Sequence, residues 1–74
     1  MILPTKHLSP AQSLIGVSAL LLKHLVTPMT VNQLWEVARH ESTVATFDRF
    51  VTALDVLFLV GALDLVHGEL RVAP

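Results

Sequence analysis

With 74 residues and no cysteine, the chain has room for one small domain and no means of bracing it with disulfides or thiolate-bound metal. Apolar residues make up 53% and charged residues 15%, against about 25% charged in an average globular domain, which excludes a disordered chain and favours a subunit that covers apolar surface with a partner. A net charge of −1 supplies no basic field to draw in nucleic acid or anionic lipid.

Residues 1–8 read as an extended N-terminal segment. Lys6 alone precedes the apolar run, and Pro4 and Pro10 interrupt it, so a secretory signal fits poorly. The longest apolar stretch, Leu14 to Val26, is broken by Gly16, Ser18, Lys23 and His24 and falls short of the about 20 residues a membrane span needs. The expected location is the cytoplasm, with no membrane association.

Ser9-Pro10-Ala11-Gln12 places a capping serine before a first-turn proline, answered by Gln three residues on, and predicts a helix over about 10–25. Thr27-Pro28 stops it, and the segment 26–30 can supply a short strand. Thr30-Val31-Asn32-Gln33 repeats the capping box and predicts a second helix over about 31–41. A connector over 41–45 follows, and Thr46 caps a third helix over about 47–60, with Asp48 favoured in its first turn and Gly61 as a left-handed stop. The period then changes to two: Leu63 and Leu65, then Leu70 and Val72, alternate with polar residues around His67-Gly68. That pattern predicts a hairpin over about 62–73. Three helices plus a C-terminal β-hairpin wing give an α+β, mostly helical, winged helix-turn-helix fold in a single domain.

At 100° per residue the third helix carries an inner stripe of Phe47, Phe50, Val51, Leu54, Leu57 and Phe58. Its outer face holds Asp48, Arg49, Thr52, Asp55, Val56 and Leu59. A helix that reads the major groove needs Arg, Lys, Asn or Gln there; two aspartates and two aliphatics oppose that use, and the wing carries Asp64 and Glu69 against Arg71. No direct sequence-specific DNA binding is expected. On the first helix Leu14, Val17, Leu21, Leu22 and Leu25 face inward, Ile15 and Val26 widen one edge, and Leu20 lies on the far flank. Val37 sits off the second helix's stripe of Val31, Leu34, Trp35 and Ala38. The candidate partner interface is therefore Leu20, Val37, Arg49, Val56 and Leu59. Trp35 has two readings, as core or as an interface anchor.

Catalytic chemistry finds no candidate. His7, His24, His40 and His67 lie on separate elements without metal-ligand spacing, Asp48 and Asp55 read as a solvated face, and Ser13 and Ser18 lack a visible base. No GxxxxGK[ST] or GxGxxG loop is present. The expectation is a non-enzyme with no metal and no cofactor.

The opening Met1-Ile2-Leu3-Pro4-Thr5-Lys6-His7, Ser9-Pro10 and Ser13-Leu14-Ile15-Gly16-Val17 resemble small middle components of bacterial ABC-three-component systems. The likeness continues through Thr30-Val31-Asn32-Gln33-Leu34-Trp35, Thr46-Phe47-Asp48-Arg49-Phe50-Val51, Ala53-Leu54-Asp55-Val56-Leu57 and Gly61-Ala62-Leu63-Asp64-Leu65. It covers nearly the whole chain. The resemblance implies a non-catalytic adaptor bridging an ABC ATPase of the SMC or Rad50 type and an effector subunit, in defence against phages or plasmids of which the Lamassu type is an example. Two other readings stay open: a small dimeric winged-helix DNA-binding regulator, whose homodimer buries the surplus apolar surface, and an enzyme subunit lending residues to a shared site.

Overall fold

The computed structural model describes residues 10–74; the expectations for the extended segment 1–8 and for the Ser9 cap lie outside them. Helix α1 (Pro10–His24), helix α2 (Val31–Ala38) and helix α3 (Phe47–Leu59) precede strands β1 (Leu63–Val66) and β2 (Glu69–Val72). The two strands pair antiparallel, Leu63 opposite Val72 and Val66 opposite Glu69. This is the winged helix-turn-helix arrangement, with the hairpin as wing.

Local chemistry explains each boundary. Thr30 and Gln33 form the reciprocal capping box: the Gln33 amide donates to Thr30 Oγ1 (3.1 Å) and the Thr30 amide to Gln33 Oε1 (2.9 Å). Thr46 accepts from the Arg49 amide at 3.2 Å. Orphan amides at the starts of α2 and α3 are thus satisfied. At the other end of α3, Gly61 takes φ +76, and its amide and that of Ala62 reach back to the Phe58 and Leu57 carbonyls (3.1 and 2.8 Å). That pair of hydrogen bonds is the Schellman stop, and it aims the chain directly into β1. His67 and Gly68 both have positive φ, 52 and 81, as a two-residue type I′ hairpin turn requires.

Helix α2 ends at Ala38, three residues earlier than its periodicity predicts. The Glu41 amide bonds to the Ala38 carbonyl at 3.0 Å, a tighter i→i−3 closure that unwinds the helix. The connector that follows is ordered: the Val44 and Ala45 amides return to the Glu41 carbonyl (3.1 and 3.3 Å), and Val44 is fully buried. The buried Val44 anchors the turn between α2 and α3, and the next residue, Ala45, takes a left-handed conformation (φ 62).

The core gathers Val17, Leu21 and Leu25 of α1 and its end, Leu34 and Ala38 of α2, Phe50, Ala53, Leu54 and Leu57 of α3, and Leu63 and Leu70 of the wing. The buried stripe of α3 is centred between Phe50 and Leu57, turned towards Ala53. Phe47 and Phe58, expected inside, are exposed, Phe47 by 52%. The turn arises because α1 packs on the Ala53 side of α3 and draws the stripe towards itself. Within the segment 26–30, Met29 forms a bridge to Leu70 of the wing, a single strand-like contact at the position the sequence suggests.

Candidate interaction surface

One side of α1 and the end of α3 do not close on each other. Leu14, Ile15, Ser18, Ala19 and Leu22 from α1 face Val56, Leu57 and Val60 across a groove of about 410 Å³. None of these eight side chains is ionisable. The groove follows from size: Ser18 and Ala19 stand where a larger residue would fill the space between the helices. Its rims are large and apolar, Ile15 being 69% and Val60 70% exposed. Ser18 is buried at its floor, and its hydroxyl has no hydrogen-bond partner among the described residues.

The five residues singled out from the sequence are not one patch. Val56 is half-buried and lines the groove. Leu59 projects from the opposite side of α3 to the core, 85% exposed. Val37 is exposed on α2. Arg49 is exposed, but its guanidinium donates to the Thr43 carbonyl at 3.2 Å and so braces the α2–α3 connector. Leu20, expected on a far flank, is half-buried and packs against the core, because the buried face of α1 is wide enough to reach it. The residues that sequence reading missed are Ala19 and Val60. Small residues carry little signal in an apolar tally, and Val60 reads as a mere helix end.

A second apolar surface lies beside the wing. Val26, 85% exposed, and Val72 flank a shallow depression shared with Leu25, Thr27, Pro28 and Arg71, and Leu65 is exposed on β1. Trp35 is half-buried. Its ring meets Phe47 edge-on at 5.1 Å and Phe50 at 5.2 Å, so it serves the core while its neighbour Phe47 reaches solvent.

The outward face of α3 holds little that suits a phosphate backbone. Asp48, Arg49, Thr52 and Asp55 are exposed, Arg49 is engaged as described, and the Thr52 hydroxyl donates to the Asp48 carbonyl at 2.8 Å. On α2, Glu36 lies 3.7 Å from Arg39 just beyond the helix end. His24 Nε2 and Glu41 Oε1, 3.3 Å apart, tie the end of α1 to the connector. Among the described residues no group of three or more His, Asp or Glu could hold a metal ion, and no helix is long and apolar enough to cross a membrane.

Comparison with characterised proteins and with solved structures finds no significant similarity. A family model does fit: that of ABC-three component (ABC-3C) system Middle Component 6, over residues 3–72. The fit spans the helices, the wing and the apolar surfaces between them, and the chain belongs to that family of middle components.

Proposed function

We propose that this chain is a non-catalytic adaptor that bridges an SMC- or Rad50-like ABC ATPase and an effector subunit of the same system, in cytoplasmic defence against phages or plasmids. A middle component has partner subunits in its system. The observation that supports the bridging role is the presence of exposed apolar side chains at two separate places, Leu59 and Val60 at the C-terminal end of α3 and Val26 and Val72 beside the wing. Leu59 and Val26 gain little where they stand in water, and burial against a partner is worth about 1.5–3 kcal/mol for a fully covered aliphatic side chain. Two such surfaces let the adaptor hold two partners at once.

In this reading the ATPase senses foreign DNA and changes shape with its nucleotide state. The adaptor passes that change on by making different contacts in the two states, which is all that coupling requires. The chain's own outward α3 face, with Asp48 and Asp55, supports a partner made of protein.

Co-expression of the system's subunits with a tagged adaptor tests the reading. The chain is expected to retain both partners, and Leu59→Asp and Val26→Asp are each expected to lose one and keep the other, with the circular-dichroism spectrum unchanged. Retention of every partner by both variants would overturn it.

A further inference from the structure

We infer that the flank of α3 carrying Phe47, Val51 and Phe58 docks an amphipathic helix of a protein partner, one with basic side chains along one edge. At 100° per residue these three fall within about 40° of one another, and Asp55 and Asp48 follow about 40–60° further round the helix. Phe47 is 52% and Phe58 39% exposed, Val51 is half-buried between them, and both aspartates are exposed. The result is an apolar ridge about 16 Å long, bordered on one side by carboxylates. Its main anchor is already in place. The Phe47 ring is held against Trp35 at 5.1 Å and Phe50 at 5.8 Å between centroids, so a partner that covers it need not first order it.

Charge identifies the occupant. The ion pairs among the described residues, His24 with Glu41 and Glu36 with Arg39, leave Asp48 and Asp55 without a cation. The two aspartates stand seven residues apart, about 10 Å along the axis, a spacing that two turns of a neighbouring helix reproduce. A straight ridge of this length suits a helix laid beside it, ridge into groove. With Lys or Arg at the same interval, that helix sets one cation against each carboxylate while its apolar stripe covers Phe47 and Phe58. The same two carboxylates repel duplex DNA and anionic lipid. A second copy presents the same flank, which carries no cation to meet them. The inference rests on the adaptor reading for the existence of a partner, and it adds the chemistry of the element that partner offers. Leu59 lies beyond the aspartates, outside the ridge.

Co-expression of the tagged chain with the other subunits of its system tests this. Asp48→Lys with Asp55→Lys, both at exposed positions, is expected to cut retention of one subunit at least about tenfold with a native circular-dichroism spectrum. Asp48→Asn with Asp55→Asn is expected to weaken retention less and to flatten its dependence on salt, a change that damage to the fold would not produce. Phe47→Ser is expected to lose the same subunit. Benzoylphenylalanine in place of Phe58 is expected to cross-link, on illumination, to a helix of that subunit with Lys or Arg along one edge. A complex that keeps every subunit in both aspartate variants overturns the inference and leaves the adaptor reading standing. So does a cross-link to an acidic or extended segment, to nucleic acid or to another copy of this chain, or no cross-link to any subunit. A native chain that retains no subunit overturns both.

Discussion

Met29 and Leu70 exchange both backbone hydrogen bonds, 3.0 Å from the Met29 amide and 2.6 Å from the Leu70 amide. That pair joins the lead-in to α2 with the wing, and Leu70 is fully buried at the junction. An isolated two-stranded hairpin is marginal in water, so the wing owes its order to this residue and to Leu63. Leu70→Ala is expected to destabilise the fold by about 2–4 kcal/mol. In hydrogen exchange, the Met29 and Leu70 amides should lose protection before those of α3.

Gly16 lies in the middle of α1 without a conformational need for glycine. A Cβ built there meets Thr43 Cγ2 at 3.8 Å, an ordinary contact. Gly16→Ala should therefore stabilise the chain by about 0.5–1 kcal/mol through helix propensity, read as a raised denaturation midpoint at unchanged slope.

The hairpin turn gives the opposite lesson. Gly68 has φ +81, so Gly68→Ala should cost about 1 kcal/mol although the space is open. His67, at φ 52, is a tolerated but poor occupant of the left-handed region. His67→Asn should stabilise the turn by a few tenths of a kcal/mol, since Asn-Gly is the preferred type I′ pair. A matched pair of thermal melts checks both signs.

Most of the fold is legible in the sequence because its punctuation is chemical: the Thr30 and Thr46 caps, Pro28, Gly61 and the His67-Gly68 turn each act within a few residues. What depends on the packing of distant segments is less legible. The early end of α2 comes with the Glu41–Ala38 closure and an ordered connector in which Val44 is buried, and the rotation of α3 that exposes Phe47 comes with the packing of α1. Neither leaves a periodic trace. The interface residues divide the same way. Leu59 stands opposite the α3 stripe and is visible as such, whereas the groove exists because Ser18 and Ala19 are small, a feature no count of large apolar residues registers.

Electrostatics makes a further prediction about α3. Asp48 and Asp55 are exposed on its outward face, where each repels phosphate. The native chain should bind duplex DNA weakly even at about 50 mM salt, and Asp48→Lys with Asp55→Lys should tighten binding and steepen the salt dependence by about one unit for each phosphate newly neutralised. Fluorescence anisotropy over a salt series reads both quantities, and tight native binding at physiological salt would contradict the assignment of this face.

The central claim is that this small, oil-rich subunit works inside an assembly. Native mass spectrometry of the tagged chain isolated from its own host at endogenous level tests it most directly. The account predicts one complex containing this chain, an ATPase and a third subunit, which breaks up in stages as the collision energy is raised. The chain emerging alone, or solely with copies of itself, would contradict it.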